Sequence, residues 1–154
     1  MCEINVLAQQ SNDISSEKGF WHDYDNTIKI METLPDFFSH RDINRIKLAF
    51  YNEKISLISS ELGEATEAMR LDKFCKLKKE ELDKSINLKD EELGETKYVG
   101  TYQTHIKDTF EDEIADSFIR LMDLCYKMGI DIEKFIVLKM EYNKFRGAKH
   151  GKKF

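Results

Sequence analysis

Residues that form turns are scarce in this sequence. It has one proline and seven glycines among 154 residues, while 34% of the residues are charged and 41% are hydrophobic. Sandwiches and barrels need frequent turns, whereas long solvated helices need few, so the composition favours an all-α protein. A chain of this length has room for one domain with its own core, and we expect a single domain over residues 1–154.

Cysteines and long apolar runs are also scarce, and the 24 basic residues are outnumbered by 29 acidic ones. The three cysteines, Cys2, Cys75 and Cys125, form no CxxC pair, which indicates reduced thiols. No segment approaches the roughly 18 apolar residues of a membrane span, and the N-terminus lacks the pattern of a signal peptide. The formal net charge of −5 argues against binding of a nucleic-acid polymer. We therefore expect a cytoplasmic protein that binds neither membranes nor nucleic-acid polymers.

Helical periodicity runs through most of the chain. Apolar residues recur at three- and four-residue steps, most clearly between Ile43 and Leu71. Gly129 is expected to end one helix and Asp131 to begin the next. Residues 74–107 are rich in Lys and Glu, which predicts a polar surface insertion with at most short helices. The predicted helices span residues 3–17, 24–33, 43–71, 108–127 and 131–145, and a basic tail follows at 147–154.

Two glutamates interrupt the apolar pattern of the long helix. On a helical projection, Glu61 falls near the centre of the apolar face and Glu64 lies at its margin. A carboxylate in such a position needs a cation, a basic partner or a local water pocket, because desolvating an unpaired charge is costly. Residues three apart lie about one turn apart on the same side of a helix. The pair can therefore hold a metal ion, with an ion pair to Arg or Lys as the alternative.

A second acidic pair, Glu113 and Asp116, repeats this spacing in the helix predicted over 108–127. Projection places this pair on the polar side, and charge at helical spacing is usually a solvated face. The apolar face of this helix is predicted to contain Ala115, Phe118, Ile119, Met122 and Cys125. A helix packed against the first pair would bring four carboxylates together. Because neither pair contains His or Cys, Mg²⁺ or Mn²⁺ suits them better than zinc, and the ExxH spacing of di-iron bundles is missing.

The two pairs stand in the segments ISSELGEATEAMR and EDEIADSFIRLMDLC. This ExxE and ExxD pattern, together with the C-terminal segment GIDIEKFIVLKMEYNKFRGAKHGKKF, resembles the MazG-like all-α nucleoside triphosphate pyrophosphohydrolases. The resemblance covers residues 43–72 and 108–154. It leaves the N-terminal forty residues and the insertion at 74–107 uncovered.

The resemblance implies a function and an assembly. It implies that Glu61, Glu64, Glu113 and Asp116 hold Mg²⁺ against the triphosphate of a nucleoside or deoxynucleoside triphosphate, which is cleaved at the α-phosphate to a monophosphate and pyrophosphate. It also implies a helical bundle completed in a homodimer or homotetramer. We then expect Glu113 and Asp116 to face the first pair across a cleft, at a subunit interface.

Five further residues are candidates for substrate contacts. Lys139, Asn143 and Arg146 lie four and three residues apart, so they share a helix face that can reach phosphate oxygens. The resemblance implies substrate contact for Lys139 and Asn143, and an exposed polar surface is the alternative for all three. Trp21 can stack on a nucleobase while His22 bonds its edge, and packing between helices is the preferred alternative for Trp21.

Two other functions stay open. One is a related helical pyrophosphohydrolase that acts on another nucleotide, such as a phosphoribosyl nucleotide. The other is a non-catalytic helical interaction protein whose acidic residues pair with Lys or Arg of a partner. The base, the sugar and the number of subunits cannot be read from the sequence.

Overall fold

The chain is all-α, as its composition predicts. The computed structural model describes residues 4–88 and 94–146, and no strand occurs in these ranges. The helices of the described residues are α1 (Ile4–Glu17), α2 (His22–Thr33), α3 (His40–Arg70), α4 (Lys79–Leu88), α5 (Gly94–His105), α6 (Phe110–Lys127) and α7 (Ile132–Lys144). The five predicted helices are all present, with ends that differ by at most three residues. The basic tail predicted at 147–154 lies outside the described residues.

The described part of the polar insertion contains two short helices, in agreement with the prediction. Helices α4 and α5 have 10 and 12 residues and contact each other. Their Lys and Glu side chains are mostly exposed, which explains why an apolar stripe is weak in this segment. None of the helices in the described part of the chain combines the length and the hydropathy that crossing a bilayer requires.

Local capping explains where several helices begin and end. The hydroxyl of Ser39 and the carboxylate of Asp42 form a reciprocal cap at the start of α3. Three helices end at a residue with a left-handed backbone, namely Gly19, Asp72 and Gly129. At each of them, the backbone amide of the following residue donates to the carbonyl five positions earlier, for example from Ile130 N to Cys125 O at 2.9 Å. Gly129 thus ends α6 as predicted, because glycine adopts this conformation without steric cost.

Contacts divide the chain into two compact units. Unit 1 comprises Met1–Lys54 and Ile119–Phe154, and unit 2 comprises Ile55–Phe118. The boundaries fall inside α3 and α6, so each of these helices contributes to both units. Both boundaries lie in uninterrupted helical periodicity, so the sequence contains no signal for this division.

Unit 1 has an aromatic core around Trp21. This side chain is 1% exposed and packs edge-on against Tyr24, at 5.5 Å between ring centroids. Its indole Nε1 donates to the buried carboxylate of Asp123 at 2.8 Å, which also accepts from Asn12 at 2.7 Å. The buried Asp123 carboxylate is therefore satisfied by hydrogen bonds from within the core. Cys125 is buried, as predicted, and burial raises the pKa of its thiol.

The buried side chains of unit 2 have a different character. In its described residues, the most buried apolar side chains are Ala65 and Ala68. Polar and charged residues outnumber them there, and these are Glu61, Ser85, Thr109, Asp112, Glu113 and Ser117. Polar groups are costly to bury unless they are satisfied or serve a site. The buried polar side chains of unit 2 are therefore the candidates for a functional site.

The buried face of α6 is not the predicted one. Phe118 is 61% exposed and Ile119 is 46% exposed, whereas Glu113 is 8% exposed. Ala115 is also exposed, and only Cys125 of the predicted apolar face is fully buried. The projection failed because packing within unit 2 buries Asp112, Glu113 and Ser117 on the polar side of α6. Periodicity identifies an apolar face but not whether the chain covers that face itself.

Candidate metal centre

Three of the predicted carboxylates lie together in unit 2. Each of Glu61, Glu64 and Glu113 offers an oxygen, and these oxygens all lie within 4.8 Å of one another. We call these three residues the carboxylate cluster. Glu61 and Glu113 are buried, while Glu64 is exposed and accepts a hydrogen bond from Ser60 at 3.5 Å. The cluster therefore has two enclosed carboxylates and one that opens to solvent.

Helices α3 and α6 supply the cluster, and the segment between α3 and α4 ties the start of α6 in place. The amide of Phe110 donates to Lys73 O at 2.9 Å, and the amide of Cys75 donates to the Glu111 carboxylate at 2.8 Å. The rings of Phe74 and Phe110 lie 5.6 Å apart. These contacts fix the first turn of α6, from which Glu113 projects.

Like charges dominate the surroundings of Glu113. Burial raises the pKa of its carboxyl, and the negative charges of Glu64, Asp112, Glu61 and Asp116 raise it further. A divalent cation would reverse this effect, because it stabilises the ionised form of every carboxylate around it. The arrangement is thus strained by charge in the absence of a cation.

Asp112 is a buried member of the site that the sequence reasoning missed. Together with Asp108 and Glu113 it forms a second group whose oxygens lie within 4.8 Å. Its carboxylate accepts hydrogen bonds from the Tyr102 hydroxyl and, at 2.9 Å, from the amide of Asp108. The TxxD spacing from Thr109 to Asp112, a capping signal at the start of α6, was the available clue. Because protein donors occupy both of its oxygens, Asp112 is better suited to positioning Glu113 than to binding a ligand.

Asp116 joins neither group, although it was expected to pair with Glu113. It lies one turn further along α6, where it is half-buried and lines a cavity with Tyr98 and Tyr102. Its negative charge nevertheless raises the pKa of Glu113. The expected set of four carboxylates is therefore a cluster of three in this structure, with Asp116 nearby.

The candidate phosphate contacts belong to unit 1. Lys139 and Asn143 are exposed on α7, and Arg146 is half-buried just after that helix. The Lys139 Nζ lies 4.9 Å from the centroid of the Tyr142 ring, and the Arg146 guanidinium lies 5.8 Å from it. Both cations therefore lie near one aromatic ring, that of Tyr142.

The two candidate base contacts have different environments. Trp21 is a core residue, with its ring covered and its indole N–H bonded to Asp123. It therefore offers no accessible ring face to a nucleobase, and packing between helices, the alternative, is what the structure shows. His22 is exposed, with Asn26 Nδ2 at 3.0 Å from its ring nitrogen and Asp23 at 3.8 Å.

The donor chemistry of the carboxylate cluster defines what it can hold. It presents oxygen ligands without nitrogen or sulfur, which is the set that hard divalent cations prefer. The exposed Glu64 leaves one side open to water or to a ligand oxygen. Comparisons of the chain with protein-family models, with curated proteins and with solved structures gave no match.

Proposed function

We propose that the protein is a Mg²⁺-dependent nucleotide pyrophosphohydrolase that converts a nucleoside or deoxynucleoside triphosphate to its monophosphate and pyrophosphate. The observation that carries this proposal is the carboxylate cluster, in which Glu61, Glu64 and Glu113 bring three oxygens within 4.8 Å. The resemblance to MazG-like enzymes supplies the reaction type. It also adds Asp116 to the ligand set.

Mg²⁺ fits these residues better than other common metals. It accepts carboxylates and retains several water molecules, so a site with one open side suits it, and Mn²⁺ is the natural substitute. When bound, Mg²⁺ would polarise phosphoryl oxygens and lower the pKa of a coordinated water. Glu61 and Glu113 would hold the ion from the buried side. Glu64, on the exposed side, can accept a hydrogen bond from the attacking water and orient it.

Phosphate recognition is assigned to cationic and amide side chains of α7 and the residue after it. Lys139 and Asn143 are exposed, so phosphate oxygens can reach them, and the resemblance supports this role. Arg146 would add a charge-assisted bond to the same group. His22, also exposed, is retained as a candidate contact to the base edge.

Assembly into a homodimer or homotetramer belongs to the same proposal, as does completion of a MazG-like bundle by a second copy. In support, α7 has no buried residue in the single chain although it contains many apolar side chains. A helix with uncovered apolar residues gains stability by packing on a partner.

One assay tests the reaction. The pure protein is incubated with a panel of NTPs, dNTPs and a phosphoribosyl nucleotide, in Mg²⁺ or in EDTA, and monophosphate and pyrophosphate are resolved. We expect monophosphate and pyrophosphate in equal amounts from at least one triphosphate, only with Mg²⁺. Release of inorganic phosphate without pyrophosphate would show cleavage at another bond and contradict the proposal.

The same panel separates the two alternatives. Turnover of the phosphoribosyl nucleotide with little turnover of ordinary triphosphates would identify the related pyrophosphohydrolase. A non-catalytic interaction protein is favoured by one observation, the exposed apolar side chains of α7. That function would give no Mg²⁺-dependent product from any substrate.

A further inference from the structure

A cavity of about 400 Å³ lies in unit 2 beside the carboxylate cluster. Residues of α5 and of the first turns of α6 line it, and the α5 part belongs to the insertion that the family resemblance does not cover. We propose that this cavity receives the nucleobase of the substrate, an inference that rests on the proposed nucleotide hydrolysis. Its volume falls in the range of roughly 300–1,000 Å³ that is usual for small-molecule sites.

The α5 wall of the cavity is aromatic and apolar. It is formed by Tyr98, Val99 and Tyr102, and Tyr102 shares a helix face with each of the other two because residues three and four apart are neighbours on a helix. The two tyrosine rings are 6.2 Å apart and tilted by 43°. A flat base therefore stacks on one ring rather than between the two. Tyr98 is the better platform, because the hydroxyl of Tyr102 is bonded to Asp112.

Polar groups on the cavity wall suit the edge of a base. The Gln103 amide can donate and accept hydrogen bonds, and the Asp116 carboxylate can accept them. Lys107 also lines the cavity, and its ion pair with Asp108, at 3.1 Å, is solvent-exposed on both sides. Such a pair is worth little and exchanges readily, so Lys107 is available to an anionic ligand.

Asp112 connects the cavity to the carboxylate cluster. It lines the cavity, and its oxygen lies within 4.8 Å of those of Asp108 and Glu113. Glu113 in turn belongs to the cluster with Glu61 and Glu64. A nucleotide whose base stacks on Tyr98 can therefore direct its phosphates towards Glu113. Trp21, the base contact that the sequence suggested, is covered and cannot take this role.

The binding test uses uncharged nucleosides, so that it does not depend on metal or on turnover. Adenosine, guanosine, cytidine, uridine and thymidine are titrated in EDTA against isotope-labelled protein, and amide shifts are followed by NMR. We expect the shifts to map to residues 98–103 and to the Gln103 side-chain amide, and to spare the Trp21 indole. Shifts centred on Trp21 and His22 instead, or no shifts with any of the five nucleosides, would overturn the inference.

Substitutions at Tyr98 test the stacking itself. Tyr98→Leu should raise the Kd of the preferred nucleoside roughly tenfold, because the stacking ring is lost. Tyr98→Phe keeps the ring and should change the Kd by less than about twofold. Tyr126→Leu is the matched control, an exposed tyrosine on α6 in unit 1. Equal effects of Tyr98→Leu and Tyr126→Leu would overturn the inference. Should Tyr98→Leu fail to fold, as judged by circular dichroism, Gln103→Ala replaces it and should alter the base preference.

Failure of the inference is distinguishable from failure of the proposed function. If the wild-type protein hydrolyses triphosphates with Mg²⁺ but Tyr98→Leu keeps both its nucleoside Kd and its base preference, hydrolysis stands and the base lies elsewhere. If nucleosides bind at α5 but no triphosphate is hydrolysed, the proposed reaction is refuted and the cavity remains a nucleoside site.

Discussion

Glu61 is the residue at which the sequence pattern and the structure agree most directly. It was singled out as a carboxylate in the middle of an apolar stripe, and it is 7% exposed in the structure, with oxygens of Glu64 and Glu113 nearby. The negative charge of Glu61 is one of those that raise the pKa of the buried Glu113 carboxyl, so removing it relieves repulsion when no cation is bound. We therefore expect Glu61→Gln to abolish Mg²⁺-dependent turnover while the Tm in EDTA stays the same or rises.

A matched control for this variant lies on the same helix. Glu67 is exposed, and its ion pair with Arg70 is on the surface, so Glu67→Gln should leave both turnover and Tm unchanged. Both variants are compared by thermal melts in EDTA and in Mg²⁺. A large fall in the metal-free Tm of Glu61→Gln would instead identify Glu61 as part of a structural ion pair.

Glu113 makes stability depend on pH in a definite direction. Its pKa in the folded protein is raised above the unfolded value of about 4.3, so the folded state holds its proton to a higher pH. The contribution of this group to stability is fully present below that unfolded value. It is lost as the pH rises through the raised pKa.

The measurement is denaturant unfolding over a pH series in EDTA. The free energy of unfolding of the wild type should show this decline, and Glu113→Gln, which cannot ionise, should flatten it. Added Mg²⁺ should offset the decline, since it stabilises the ionised carboxylates. Identical pH profiles for the wild type and Glu113→Gln would show that the charge of Glu113 is not destabilising.

Sequence reasoning found some site residues and missed others for a physical reason. Glu61 was visible because its neighbours in the helix are apolar, a local property. Asp112 was not, since its burial comes from Tyr102 and Asp108, outside the helix to which it belongs. The sequence alone left Trp21 as either a base contact or a core residue, and its burial and its bond to Asp123 decide for the core.

At the scale of the helix, ends were easier to predict than faces. Asp131 and Gly129 are short-range signals whose effect depends on neighbouring residues, and each lies directly beside a helix end. The buried face of α6 depends on which surfaces the rest of the chain covers. Projection cannot supply that information, so the expectation that Glu113 faces the first acidic pair came from the family resemblance and not from the pattern of the helix.

The cap of α7 gives a prediction about a single helix. The Lys134 ammonium lies 2.7 Å from the Asp131 carboxylate, which also accepts from Asn5 Nδ2 at 2.8 Å and from the Lys134 amide at 3.3 Å. These bonds, with the Lys134 side chain first, lower the pKa of Asp131 to about 2. Asp131→Ala should lower the Tm at neutral pH by a few degrees, because α7 loses its cap and its bond to α1.

The effect should fade in acid. A lowered pKa contributes stability above the unfolded value of about 3.9, and this stability is lost as the pH falls towards the folded value of about 2. The difference in Tm between wild type and Asp131→Ala should therefore shrink over that range. Asp13→Ala, an exposed aspartate on α1, serves as the control and should leave the Tm unchanged at every pH.

For the whole molecule, the apolar surface of α7 is the feature that one chain leaves unexplained. Phe135, Leu138, Tyr142 and Phe145 lie at spacings of three and four residues, so they form one stripe, and all four are exposed. Soluble monomers rarely expose a contiguous stripe of large apolar residues. We expect a second copy of the chain to cover it, in line with the proposed homo-oligomer.

This expectation can be tested with two substitutions on the same helix. Leu138 lies in the stripe and is 64% exposed, while Met140 lies on the opposite face and is 60% exposed, so exposure alone does not distinguish them. Light scattering coupled to gel filtration should give a multiple of the 18.1 kDa chain mass for the wild type and for Met140→Glu. Leu138→Glu should give the monomer, because a glutamate in the stripe would be desolvated without a partner. A monomeric wild type at every concentration, or equal dissociation of both variants, would show that the stripe is not the subunit interface.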